Sequence, residues 1–98
     1  MDAFIIKAKV WLYPGDAAWY FVSIPKKESV KLQKTFEGLQ RGFGSLPVTV
    51  TVGSTSWKTS IFPNSKDGVF MLPIKAQVRK KENIKAEKII SFKLEVRI

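Results

Sequence analysis

The sequence predicts a mainly β fold: a small closed or split six-stranded β-barrel built from two strand-strand-helix-strand halves, with one longer and one short helix in the connections. Three observations predict it. Apolar and polar residues alternate with period two in several short runs along the chain. The period changes to a helical one after Pro25, and a second, shorter helix is expected after Pro73. The order strand, strand, helix, strand is then met a second time before the chain ends.

From Phe4 to Leu12, the residues Phe4, Ile6, Ala8, Val10 and Leu12 share one face of a strand, while Lys7, Lys9 and Trp11 share the other. "PGD" at Pro14 to Asp16 turns the chain. In "WYFVSIP", Tyr20, Val22 and Ile24 alternate against Trp19, Phe21 and Ser23, and Pro25 ends the run because proline cannot donate to a ladder. These two runs make a hairpin. Leu32, Phe36 and Leu39 then stand at i, i+4 and i+7 among Lys27, Lys31 and Lys34, as in one amphipathic helix. Gly38, Gly42 and Gly44 supply the backbone freedom to leave it. "VTVTV" at 48–52 points valines inward and threonines outward.

The second half repeats this order with a strand around Trp57 to Phe62, a turn in "PNSKDG", a strand from Val69 to Leu72, and Pro73 before the short helix. The last strand, "IISFKLEVRI", alternates best, with Ile90, Phe92, Leu94, Val96 and Ile98 inward. Placing Pro25 over Pro73 sets Val22 over Phe70, Ile24 over Leu72, Val30 over Val78 and Lys31 over Arg79. Two such units close their sheet edges by pairing across a pseudo-twofold axis, which is the physical reason to expect a barrel and not an open sheet.

A chain of 98 residues forms a single domain, 1–98, large enough to bury a core without disulfides or metal. Hydrophobic residues at 45% against charged residues at 26% predict a globular chain with little disorder. Cysteine and histidine are both absent, which closes the usual routes to thiolate chemistry, zinc sites and acyl-transfer triads. The sequence therefore predicts no enzyme, no cofactor and no metal site. Asp2 and the lysines within the first apolar run do not fit a signal peptide, and no stretch has the apolar length of a membrane span. The expectation is a cytoplasmic protein with no membrane partner, a monomer or weak homodimer.

Seventeen basic residues against eight acidic ones give a formal charge of +9, which attracts nucleic acid and other anions. The charge concentrates in "LPIKAQVRKKENIKAEK" at 72–88, which carries Lys75, Arg79, Lys80, Lys81, Lys85 and Lys88. If Lys27, Lys31 and Lys34 join this run on one surface, a continuous basic stripe results.

"WYFVSIP" at 19–25, "GFGSLPVTVTVG" at 42–53, "WKTSIFP" at 57–63 and "LPIKAQVRK" at 72–80 together resemble a family of small prokaryotic proteins catalogued as domain of unknown function 1905. The resemblance covers nearly the whole chain. It implies a split β-barrel of the kind also seen in AbrB and MazE type transcription factors, occasional fusion to a bacteriocin-protection type domain, and no established activity. The segment from Leu72 to Val96 is similar to the AbrB pattern of strand, proline, basic helix, Gly-Asp turn and strand. Here Ala86 and Glu87 stand where Gly-Asp is usual, so the left-handed position must be avoided or supplied elsewhere. Asn83 is the residue expected to end the helix.

The candidate ligand or anion-binding residues are Arg79, Lys75, Lys80, Lys81, Lys58, Ser60, Trp19 and Trp57. Arg79 suits a planar fork onto phosphate or carboxylate, and the lysines read equally as a solvated helix face. Trp19 and Trp57 read as stacking surfaces beside Lys58 and Lys93, or as barrel packing. Trp11 shares parity with Lys7 and Lys9, which makes it the tryptophan expected to be exposed. Ser60 beside Lys58 or Lys75 lacks the surroundings of a nucleophile, and "GFGSLP" lacks the lysine and hydroxyl of a phosphate loop. Two functions follow: a noncatalytic binding module with a basic face for an anionic partner, nucleic acid foremost, or an accessory domain holding an acidic small molecule at the barrel mouth near Trp19, Ser60 and Arg79.

Overall fold

The computed structural model describes residues 3–15 and 19–97. Six strands, β1 (Ala3–Leu12), β2 (Tyr20–Ser23), β3 (Leu46–Val52), β4 (Thr55–Pro63), β5 (Phe70–Pro73) and β6 (Ile89–Val96), close into a barrel in the order β1-β2-β5-β4-β3-β6. Every pairing is antiparallel. The longer helix α1 (Lys26–Thr35) joins β2 to β3, and the short helix α2 (Ala76–Lys81) joins β5 to β6. Exchanging β1 with β4, β2 with β5 and β3 with β6 leaves the pairing order unchanged, which is the pseudo-twofold that the repeated half requires.

Alternation places the core as the sequence indicates. In β6, Ile90, Phe92 and Leu94 are buried while Ile89, Ser91 and Lys93 face solvent, and in β3 the three valines are buried between half-buried threonines. Each fully buried aliphatic side chain contributes roughly 1.5–3 kcal/mol of transfer free energy. Closure gives every strand two neighbours over at least part of its length.

The repeat holds, but its registration differs from the one the prolines indicate. Val22 pairs with Leu72, Ile24 N–H donates to Phe70 O, and Ile74 N–H donates to Tyr20 O in the same way. Pro25 precedes α1 as Lys75 precedes α2, so the equivalents of Val22, Ile24 and Pro25 are Leu72, Ile74 and Lys75. Pro25 does not correspond to Pro73. One proline sits at a helix N-cap and the other is the last residue of a strand, opposite Phe21.

The true equivalence brings Ser29 over Arg79, and each bonds the equivalent carbonyl of its own half. Ser29 Oγ donates to Ile24 O at 2.9 Å and accepts from Phe70 N–H at 3.0 Å, so a buried hydroxyl replaces a missing rung between β2 and β5. Arg79 Nε donates to Ile74 O at 3.1 Å in the other half. The sequence reading did not find Ser29, because a serine within a lysine-rich helix looks like surface.

Other expectations are corrected. Leu12 is exposed, because β1 pairs with β6 only from Ala3 to Lys9 and beyond Val10 has β2 alone beside it. Leu39 is also exposed: α1 ends at Thr35, Phe36 leaves the helix at φ −113°, and the apolar face stops one turn early. Gly38 and Gly44 do adopt positive φ, but Gly42 does not, and the adjacent Phe43 takes φ 59° instead. Asn83 does end α2, at φ 54°, and the left-handed position expected to be avoided at Ala86 is taken by Glu87 at φ 73°. The inward placement of Ile98 and the turn position of Asp16 lie outside the described residues.

Gly53, at φ 57° in the β3–β4 turn, is the glycine most constrained by its neighbours. A Cβ there would collide with Glu82 Oε1, and that carboxylate also accepts from Thr55 Oγ1 at 2.5 Å. Gly53→Ala is expected to cost about 2 kcal/mol, from the left-handed backbone and the displaced charged hydrogen bond. In a Glu82→Ala background the same substitution is expected to cost about half as much, since only the backbone part remains. Urea denaturation of the four proteins checks the coupling.

Candidate functional site

The site is assembled at the end of the barrel where β5 runs into α2. Lys75 O accepts the N–H groups of Val78 and Arg79 and so opens the helix. It closes with Ile84 N–H bonded to Arg79 O at 2.8 Å across the left-handed Asn83, while Ile84 and Val78 are both buried in the core. This ending is a Schellman arrangement with its apolar contact. It leaves Arg79, Lys80 and Lys81 in the last turn, where cations also suit the carbonyl end of the helix.

Arg79 is held on two sides. Its Nε bonds Ile74 O, and its guanidinium carbon lies 3.8 Å from the centroid of the Tyr20 ring. Its Nη atoms make no hydrogen bond to any described residue, and no carboxylate pairs with it among them. The geometry presents a pre-oriented guanidinium fork with its donors unused.

An open hollow adjoins this fork, and a second shares a wall with the first. One, of about 430 Å³, is lined by Trp19, Tyr20, Lys58, Pro73 and Arg79 among others, and the second, of about 570 Å³, by Thr55, Gln77, Lys80 and Lys81 among others. Trp57 and Lys75 line both. Seven of the eight residues singled out from the sequence therefore meet at one barrel end, although they come from three separate stretches of chain. Ser60 does not: half-buried on β4 opposite Pro47, it lines neither hollow.

Trp57 follows the packing reading and Trp19 the stacking one, while Trp11 departs from its expected exposure. Trp57 belongs to the buried core and forms a wall of the hollows instead of an exposed stacking face. Trp11 is half-buried, its Nε1 donating to Ser23 Oγ at 2.9 Å, because it pairs across the hairpin with Phe21 and packs on it at 5.3 Å. Trp19 is the open one, 55% exposed and stacked on Phe21 at 6.2 Å with the rings 11° apart. Tyr13 adds an edge to Phe21 at 5.9 Å. The outer face of the β1–β2 hairpin is thus a four-ring aromatic surface running to the rim of the smaller hollow.

The charges do not form one stripe. β2 and β5 are antiparallel neighbours, so α1, leaving β2, and α2, leaving β5, begin at opposite ends of the barrel. Contacts agree: Lys26 Nζ reaches Asp67 O in the β4–β5 turn and Lys31 lies over Phe4 at the start of β1, whereas Glu82 beside α2 holds the β3–β4 turn. Lys93 lies away from the tryptophans, opposite Thr51 on the β3–β6 seam and paired with Glu95 at 3.6 Å. Lys85 and Lys88 line neither hollow, and Lys88 Nζ donates to Asn83 O at 3.2 Å. Lys58, Lys75, Lys80 and Lys81 have no ion pair among the described residues.

A family model described as Domain of unknown function (DUF1905) matches residues 7–94, a span that takes in the whole of the site and all of the barrel except the start of β1 and the end of β6. No curated protein matches the chain.

Proposed function

Because the chain belongs to the DUF1905 family, whose description assigns no activity, we propose from the chemistry of the site that it is a noncatalytic binding module for an anionic partner, nucleic acid foremost. One observation carries this reading: Lys58, Lys75, Arg79, Lys80 and Lys81 converge around two hollows at one barrel end with no carboxylate paired to any of them among the described residues. Cations gathered without counter-charges repel one another, and an incoming polyanion relieves that repulsion while releasing its own counterions. Aromatic rings at the rim add the stacking surface that distinguishes nucleic-acid sites from simple basic patches.

Fluorescence anisotropy of labelled oligonucleotides, titrated at several salt concentrations, tests the reading. Binding is expected to persist near physiological salt and to weaken linearly in log-log form. Replacing Lys75, Lys80 and Lys81 together by alanine is expected to reduce the magnitude of the slope by about two, given about 0.7 per phosphate contact on a single strand. An unchanged slope would remove these lysines from the interface.

The competing reading places a free acidic metabolite in the smaller hollow, whose volume of about 430 Å³ is adequate for a small ligand. It predicts thermal stabilisation by that metabolite, and no saturable binding of oligonucleotides.

A further inference from the structure

We infer that the polyanion is single-stranded, with a base unstacked onto Trp19 and the adjoining phosphate received by the Arg79 fork; this rests on the nucleic-acid reading above. Three features of the site point the same way. The exposed tryptophan is not loose: its parallel stack on Phe21, itself packed against Trp11 and Tyr13, fixes the plane that a base would meet. That plane lines the same hollow as Lys58, Lys75 and Arg79, so an aromatic face and three cations serve one concave volume. The Arg79 guanidinium already sits over the Tyr20 ring, with its Nη donors unspent, and needs little ordering to grip a phosphate in a bidentate manner.

A duplex cannot use this arrangement. Its bases are stacked on one another and offer no free face to Trp19, while a convex rod does not fill a hollow. The basic residues also lack the continuous stripe along which a duplex backbone would lie, since those of α1 and α2 begin at opposite barrel ends. A single strand has free bases, a flexible backbone and the same phosphates, and it bends into a local site. The pairing of one base with one phosphate also fits a hollow that joins Trp19 to Lys58, Lys75 and Arg79.

The experiment compares a 12-nucleotide thymidine or uridine strand, a 12-base-pair duplex and free thymidine monophosphate, with wild-type protein and the Trp19→Ala and Trp19→Phe variants. Binding is followed by anisotropy competition and by tryptophan emission. The single strands are expected to bind more tightly than the duplex and to quench emission. Trp19→Ala is expected to weaken single-strand binding about tenfold while leaving duplex binding unchanged, and Trp19→Phe to restore part of the loss. DNA and RNA strands are both expected to bind, because stacking and phosphate contacts do not require a 2′-hydroxyl.

Duplex binding at least as tight as that of the strands, with Trp19→Ala silent, would overturn the single-strand inference and leave the basic module standing. Thymidine monophosphate binding as tightly as the 12-mer would also overturn it, marking a free-nucleotide site. No binding of any polynucleotide at moderate salt would remove both this inference and the reading on which it rests.

Discussion

Leu32→Ala is expected to lower stability by about 3 kcal/mol, within the range for a buried leucine whose surroundings cannot collapse. The size of the effect comes from how α1 is attached. Ten residues are too few to be helical on their own in water, and Pro25 at the N-cap provides no side-chain hydrogen bond. Only Ser29 and Leu32 of the helix are buried, and Leu32 is fully so. Removing its side chain empties space beneath the helix that a closed, hydrogen-bonded barrel cannot readily fill. For a domain of this length the loss corresponds to a fall of about 12–24 °C in Tm, which differential scanning calorimetry reads directly.

Hydrogen exchange adds a local test. The α1 amides are expected to lose more protection than those of β3 and β6, whose pairing does not involve the helix. The variant is also expected to bind oligonucleotides like the wild type where it remains folded, because α1 and the α2 hollows begin at opposite ends of the barrel. A loss below 1 kcal/mol would mean that the helix is held by something other than this contact.

The fold was legible because a closed barrel imposes alternation on every strand. Phe92 and Leu94 could be assigned inward from parity alone, and the two-half organisation followed from the change of period after each second strand. Strand ends were less legible. Leu12 keeps the parity of an inward residue but stands past the point where β6 stops pairing, and no pattern within one strand reports where its neighbour ends. Leu39 fails for a related reason: i+7 spacing is meaningful only while the helix lasts, and Phe36 has already left it.

The two-residue shift in the repeat is more instructive. Prolines are conspicuous in a sequence, but Pro25 and Pro73 are tolerated for different reasons, one at a helix start where its missing N–H has no partner to lose, the other as the last residue of a strand. The equivalence that the backbone respects runs through Ile24 and Ile74, and it pairs a serine with an arginine. No substitution scale would suggest that match. It becomes sensible only when both side chains are seen bonding the carbonyl that leads into a helix.

The candidate site was legible as composition and not as geometry. Lys58 and Trp57, from β4, join Lys75 to Lys81 because β4 and β5 are neighbours in the barrel, and Trp19 joins them because β2 lies on the other side of β5. The separation of the α1 lysines from this group has a topological cause too. Antiparallel central strands send their following helices in opposite directions, so a sequence rich in lysine throughout yields two separate charged ends.

Arg79 gives the sharpest test of whether its half of the repeat has taken on a binding role. Ser29 performs the structural task of its position with a small buried hydroxyl, whereas Arg79 uses one nitrogen for the equivalent carbonyl and carries two more to the rim of a hollow. Arg79→Ala is expected to weaken single-strand binding about thirtyfold, equivalent to about 2 kcal/mol for a charge-assisted pair. It is also expected to reduce the magnitude of the salt slope by about 0.7, the share of one phosphate. Arg79→Lys keeps the charge but not the plane. A lysine lacks the planar guanidinium held over Tyr20 and the fork it presents. Its expected result is therefore an unchanged slope with affinity lowered about tenfold, a split that loss of a purely structural hydrogen bond would not produce. Equal affinity for Arg79→Lys and wild type would show that only the charge matters and that no fork is engaged. Equal loss of thermal stability in both variants, with binding unaffected, would return Arg79 to the role of its partner Ser29, a staple between a strand end and the helix that follows it.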